Sequence, residues 1–122
     1  MKRFLRCNEE FQRVYRNGQR YDRTLMTAFV LHNNSSEHRL GITASRKAIG
    51  NAVQRNRAKR VLRETFRLSD PSLSQLAGKY DWVLNAKRQL LSSKAGSARV
   101  EFEDILKSVA VREGKGSELR LA

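Results

Sequence analysis

The order of its apolar and polar segments predicts that this chain is an α+β domain, a two-layer α/β sandwich with a mixed central sheet of about four strands and three helices. Three observations carry the prediction. Gly50 to Arg67 repeats its apolar residues at helical spacing. Leu25 to Leu31 and Arg39 to Ser45 are strand-like runs joined by a polar turn, a hairpin. A further strand, Tyr80 to Ala86, comes after the helix, which therefore crosses over between strands. At 122 residues the chain has the size of one ordinary domain. It shows no internal repeat and no long linker, so a single domain over 1–122 is expected, with a flexible tail at about 114–122.

In chain order, Asn8 followed by Glu9 and Glu10 reads as an N-cap with acids in the first turn, and Asn17-Gly18 as a stop, which places a first helix at about 9–16. Phe11, Val14 and Tyr15 share one face of it. That face packs on the sheet, or, since Phe11 and Tyr15 stand at i and i+4, forms a stacking platform for unpaired bases. A weak strand signal, Gln19 to Arg23, precedes the hairpin, whose turn is His32 to His38. Ser69-Asp70-Pro71 breaks the pattern after the long helix. Trp82, the only tryptophan, reads as core. A last helix over Ser97 to Arg112 has Val100, Ile105, Leu106, Val109 and Ala110 as its apolar residues, and Gly114-Lys115-Gly116 follows it.

Charge singles out the middle of the chain. Residues 39–67 hold Arg39, Arg46, Lys47, Arg55, Arg57, Lys59, Arg60, Arg63 and Arg67 against Glu64 alone; nine cations less one acid make +8 of the net +13. At 100° per residue, Ala58, Val61, Leu62, Thr65 and Phe66 form one stripe of the helix, and Asn56, Arg60, Arg63 and Arg67 the opposite arc. The helix cannot turn its charges inward without exposing Leu62 and Phe66, so the arginines form a fixed outward array suited to a polyanion. Arginine outnumbers lysine, which favours bidentate contacts to phosphates, and nucleic acid is the expected partner. From residue 68 onward nine basic residues nearly balance seven acidic ones, the pattern of ordinary solvated surface.

No run approaches the roughly 20 apolar residues that span a bilayer. Met1-Lys2-Arg3-Phe4-Leu5-Arg6 leads into charge rather than an apolar signal core, which predicts a cytoplasmic protein without a membrane partner. Cys7, the single cysteine, can form neither an internal disulfide nor a zinc site, and reads as a small, partly buried residue before a helix.

Side-chain catalysis has little support. His32 and His38 read as solvated loop residues. There is no Ser/His/Asp order, no Gly-rich phosphate loop and no carboxylate pair placed with a basic partner. Glu101, Glu103 and Asp104, the only acidic cluster, are expected to face solvent. Composition and charge equally fit a ribosomal or other structural RNA-binding protein. A DNA-reading factor would need a helix-turn-helix pairing or a dimerising heptad, and neither precedes the basic helix. A protein-only nuclease would need metal-binding carboxylates.

The run Ala52-Val53-Gln54-Arg55-Asn56-Arg57-Ala58-Lys59-Arg60, continued by Arg63-Glu64, resembles the arginine-asparagine-arginine signature of the bacterial ribonuclease P protein subunit. The resemblance extends to residues 8–15, to Arg39 through Lys47 and to Tyr80 through Lys87, in matching order and spacing, and so covers most of the chain. It implies a small α/β domain with a left-handed βαβ crossover, against the usual right hand. It further implies the accessory subunit of an endoribonuclease that removes the 5′ leader of precursor tRNA. In such an enzyme the catalytic groups and Mg2+ reside mainly on a large catalytic RNA, and no small-molecule cofactor takes part. Carried over by position, Arg55, Asn56, Arg57, Lys59, Arg60, Arg63 and Arg67 would contact the ribonuclease P RNA. Phe11, Tyr15, Phe29, Thr43, Ser45, Arg46, Lys47 and Asn51 would line a cleft between the first helix and the sheet that receives the single-stranded leader. Stacked bases in comparable sites contribute roughly 1–3 kcal/mol each. Ala48 lengthens the link between Lys47 and Gly50 by one residue relative to many family members.

Overall fold

A computed structural model of the protein describes residues 3–121, with side chains over 4–114. Its elements are β1 (Arg3–Phe4), α1 (Asn8–Asn17), β2 (Gln19–Asp22), β3 (Met26–Asn33), β4 (Arg39–Thr43), α2 (Ala52–Leu68), α3 (Asp70–Ser74), β5 (Lys79–Ala86), a 3-10 turn (Arg88–Ser92) and α4 (Ser97–Leu121). The sheet order is β1-β4-β5-β3-β2. β1 and β5 both run parallel to β4, whereas β3 is antiparallel to β5 and to β2. The parallel β4–β5 pair is joined through α2, so the basic helix is the crossover of a βαβ unit. Four strands of ordinary length make up the mixed sheet, and the two-residue β1, which lacks a sequence signal of its own, adds an edge.

Side chains alternate across a strand, so the registered rows sort onto two faces. Val30, Trp82 and Leu40 lie abreast on one face, as do Ala28, Leu84 and Ile42. On these rows pack Ala58, Leu62 and Phe66 of α2 and Ala98, Phe102, Ile105, Leu106 and Val109 of α4. Trp82, Phe66 and Phe102 form an aromatic centre with ring centroids 5.5 to 6.3 Å apart, and edge-on geometry adds to their area burial. Phe29, Val83 and Gly41 lie abreast on the opposite face. There Leu5, Val14 and Val83 form a second, smaller core, flanked by half-buried Phe11, Tyr15, Phe29 and Leu31. The two expected layers are thus the sheet and the α2/α4 layer, and α1 covers the other side. Gly41 permits its close approach: a Cβ there would stand 2.6 Å from Cζ of Phe11.

Several expectations change once tertiary partners are in place. Cys7, not Asn8, is the N-cap of α1, and it is exposed; the caps that matter come from Glu10, whose Oε1 accepts the Arg6 and Cys7 amides at 2.9 and 3.2 Å. His38 is buried rather than solvated. Its Nδ1 accepts hydrogen bonds from the Tyr80 amide (3.0 Å) and Trp82 Nε1 (3.1 Å), which leaves Nε2 to donate to the Leu73 carbonyl at 3.2 Å. The acidic cluster is equally engaged. Glu101 accepts the backbone N–H groups of Thr24, Leu25 and Met26 and Glu103 accepts from Ser72, whereas Asp104 faces solvent as expected and pairs there with Arg23. In α4 the inward apolar residues are Ala98, Phe102, Ile105, Leu106 and Val109, whereas Val100 and Ala110 face solvent. The helix backbone continues past Arg112 to Leu121. Of the tail expected at 114–122, the side chains from 115 on lie outside the described residues, and so does Ala122 altogether.

Asp81 is the largest departure. Its carboxylate is wholly buried on the α1 face. It accepts hydrogen bonds from Arg39 Nε (2.7 Å), from Arg39 Nη2, from Arg13 Nη2 (3.0 Å) and from Asn33 Nδ2 (2.7 Å). Arg39 also donates Nη1 to Glu10 at 3.0 Å. Arg39 therefore leaves the cationic array to which its position in the sequence assigned it, and instead ties α1 to the sheet.

Candidate nucleic-acid interface

The basic helix begins at a rigid corner. Asn51 caps α2, its Oδ1 accepting the Gln54 amide at 2.9 Å while Gln54 Oε1 accepts the Asn51 amide at 3.0 Å, a reciprocal capping box. The preceding Gly50 has φ +127°, and a Cβ there would fall 2.2 Å from Gln54 Oε1, so only glycine suits both the turn and the cap. Arg55 reaches back to the Gly50 carbonyl at 2.9 Å. The helix thus enters at a fixed angle, with Ala58, Leu62, Thr65 and Phe66 buried and Val61 half-buried, as its periodicity predicts.

On the outer arc Asn56, Arg57, Arg60 and Arg63 are exposed and Lys59 is half-exposed, and among the described residues none of these four cations has an acidic partner. Arg67 differs: it pairs with Glu64 one turn back, which holds the Glu64 carboxyl below its usual value. The cationic surface also extends beyond the segment in which the sequence concentrates charge. Arg57, Arg60, Lys94 and Arg99 line a groove of about 590 Å³ between α2 and the start of α4, together with Glu64, Val61 and Leu91. Lys94 and Arg99 come from the half of the chain whose charges nearly balance, and only the packing of α4 against α2 brings them there.

The second set of residues surrounds the space between α1 and the sheet. Phe11 lies over Gly41, and Tyr15 meets Phe29 edge-on at 4.8 Å between centroids. All three rings are half-buried, so they pack on the sheet and still present surface. Thr43 ends β4, and Ser45 opens the following turn, where its hydroxyl accepts the Ala48 amide (3.0 Å) and its carbonyl the Ile49 amide (2.9 Å). Ala48 is absorbed in that turn, which leaves Arg46 and Lys47 exposed between the end of β4 and the N-terminus of α2. The two residue sets are therefore adjoining along the chain: end of β4, basic turn, cap, basic helix. Asn51 sits at the junction with its side chain engaged in the cap.

Two polar residues here have no counterpart in the site expected from sequence. Asp81 and Asn85 stand four apart in a strand that is otherwise apolar after Lys79 and Tyr80, and that shared parity is the one signal that would have put both on the α1 face. Asn85 Oδ1 accepts from Tyr15 Oη at 3.0 Å and from Thr43 Oγ1 at 2.7 Å, tying α1, β4 and β5 together.

An α+β fold that presents Arg57, Lys59, Arg60 and Arg63 on a capped helix without acidic partners among the described residues, beside half-buried aromatic rings, has the character of a small RNA-binding protein. The ribonuclease P family model matches residues 1–110, and the chain belongs to that family. The ribonuclease P protein component of Natranaerobius thermophilus is 42% identical over 83 residues, covering 68% of this chain and 69% of that protein. That of Clostridium kluyveri is 32% identical over 110 residues, covering 90% and 93%. Among solved structures, the RNase P protein of Staphylococcus aureus superposes with a TM-score of 0.71 at 28% identity, over 85% of this chain and 92% of that one. The RNase P protein from Thermotoga maritima gives 0.73 at 25% identity, over 85% and 94%. An RNA-binding role in a tRNA-processing ribonucleoprotein goes with the family.

Proposed function

We propose that this chain is the accessory subunit of a cytoplasmic ribonucleoprotein endonuclease, in which a catalytic RNA removes the 5′ leader of precursor tRNA and the protein binds both that RNA and the leader. The observation that carries this reading is the continuity of the two surfaces. Half-buried Phe11, Tyr15 and Phe29 pack beside the end of β4, from which exposed Arg46 and Lys47 lead into the N-terminus of a helix whose Arg57, Lys59, Arg60 and Arg63 have no acidic partner among the described residues. Arg55, Asn56 and Arg67 belong to the same helix and complete the contact with the RNA subunit. Each phosphate neutralised there releases condensed counterions. In the cleft Phe11, Tyr15 and Phe29 stack on leader bases, Thr43 and Ser45 lie along the strand, and Lys47 addresses its backbone. A mature tRNA lacks the leader and leaves the aromatic surface unfilled, so the protein raises affinity for precursor over product.

Magnesium belongs to the RNA in this reading. In this reading its ligands are phosphates of the partner RNA. The chain's contribution is binding and orientation.

Two substitutions separate the surfaces. Arg60→Ala should lower the slope of log K against log salt, for precursor-free assembly with the RNA, by about 0.7–0.9 for each phosphate that is no longer neutralised. Phe11→Ala should reduce the preference for precursor over mature tRNA by the worth of one stacked base, about 1–3 kcal/mol, with an unchanged salt slope. Equal binding of precursor and mature tRNA by the wild-type ribonucleoprotein would refute the leader assignment.

A further inference from the structure

Phe4 is an aromatic residue that neither core absorbs. It is the register partner of Leu40, which in turn lies beside Trp82, so its ring stands on the face of the sheet that α2 covers. The ring belongs to neither buried cluster and is 49% exposed. A single exposed apolar side chain is ordinary in itself. This one borders cations. Phe4 and one side of α2 line a groove of about 530 Å³, with buried Leu40 and Phe66 also in its lining. Arg60, Arg63 and Arg67 line the same groove, and their spacing at i, i+3 and i+7 sets them along one side of the helix. Of the two acids there, Glu64 is taken by Arg67 and Asp70 is likewise engaged, whereas Arg60 and Arg63 have no acidic partner among the described residues.

An exposed ring beside two unneutralised guanidinium groups suits one kind of occupant, an unpaired nucleotide. Its base stacks on the ring and turns toward the apolar lining, while the neighbouring phosphates accept bidentate bonds from arginine. A base inside a duplex offers no free face, so a double helix could use the arginines but not the ring. We infer that Phe4 is a stacking residue for an unpaired base of the ribonuclease P RNA, whose flanking phosphates lie on Arg60 and Arg63. The inference rests on the reading above that α2 binds that RNA. The RNA subunit is the occupant, not the leader, because the sheet stands between this groove and the α1 face, where Phe29 and Gly41 lie abreast under Phe11. One stacked base corresponds to about a 5- to 150-fold change in affinity.

The test is the Kd of the whole chain for ribonuclease P RNA alone, without precursor tRNA, across a salt series. Phe4→Leu keeps an apolar side chain and removes the ring. It should weaken binding about 5- to 150-fold at every salt concentration and leave the slope of log K against log salt unchanged, whereas Phe4→Tyr should bind like wild type. Phe4→Trp gives a second reading that holds even if Phe4→Leu lowers the urea midpoint of the free protein. Trp82 is wholly buried, so the added, solvent-exposed emission reports on the groove and should be quenched when the RNA binds. Wild-type affinity in Phe4→Leu, equal losses in Phe4→Leu and Phe4→Tyr, or unquenched emission from Phe4→Trp in the assembled particle would each overturn the inference while RNA binding by α2 stands. A defect that emerges only after precursor tRNA is added would assign the base to the leader and overturn it as well. Failure of the wild type to bind the RNA subunit would instead refute the reading of α2, and the role of Phe4 with it.

Discussion

Replacing Asp81 with asparagine should cost this protein about 3 kcal/mol of stability, near the lower end of the range for breaking a buried ion pair. The carboxylate is fully buried and accepts from Arg39 twice, from Arg13 and from Asn33. Asparagine fills the same space but carries no charge, so Arg39, only about one-fifth exposed, keeps Glu10 as its one acidic partner. That remaining pair, and the half-exposed position of Arg13 (51%), argue for the lower end of the range. For a chain of this length the loss corresponds to a fall in Tm of roughly 10–15 °C. Burial by itself pushes the Asp81 carboxyl up, but the hydrogen bonds from Arg39 and Asn33 and the charge of Arg39 outweigh it and hold the group below its ordinary value. A depressed folded value means that the contribution is complete above the unfolded carboxyl value of about 3.9 and is lost as pH falls through the lower folded value. Thermal melts of both proteins from pH 7 down to pH 2 would therefore show two well-separated curves that converge in acid. A Tm for Asp81→Asn within about 2 °C of wild type at pH 7, or a gap that persists unchanged in acid, would refute the reasoning.

Three further substitutions probe the scaffold. Gly50→Ala forces a side chain into a backbone at φ +127° and onto Gln54 Oε1, and should destabilise by about 1–3 kcal/mol, read as a lower urea midpoint at constant m-value. Glu113 accepts the Ala77 amide at 3.0 Å, the Gly78 amide at 2.9 Å and the Tyr80 hydroxyl, bonds that hold its carboxyl low against the effect of burial, while burial and the Glu113 bond push the Tyr80 hydroxyl well above its ordinary value. Glu113→Ala should speed hydrogen exchange at Ala77 and Gly78 about 10-fold or more, with little change at the centre of β3. His38→Ala leaves the Trp82 indole N–H and the Tyr80 amide without an acceptor in the core, at about 1–3 kcal/mol for each group, and should shift Trp82 fluorescence as well as the melting curve.

Local rules were sufficient for part of this molecule and insufficient for the rest, and the division follows the range of the forces involved. The inward and outward faces of α2 were legible because helical periodicity acts over four residues, and burial of Leu62 and Phe66 dictates where Arg60 and Arg63 point. The hairpin and β5 were legible as apolar runs bounded by turn residues, although β3 extends to Asn33 and takes in part of the expected turn. Aromatic spacing in α1 likewise placed Phe11 and Tyr15 together. By contrast, the partners of buried polar groups lie far apart in sequence: Arg39 meets Asp81 across 42 residues, Tyr15 meets Asn85 across 70, and Glu101 meets Leu25 across 76. A charge run cannot show which of its members will be neutralised by a distant carboxylate, and so Arg39 read as interface although it serves the core. Equally, Lys94 and Arg99 joined the basic groove only when α4 packed on α2. Residue order alone thus dictates that a cationic helix and an aromatic pair exist and which way each faces, since periodicity and burial are local. Which cations are neutralised by distant carboxylates, and how Asn85 is held by Tyr15 and Thr43, are set by the packed fold, because they depend on desolvation and hydrogen bonding between residues that the chain brings together only by folding.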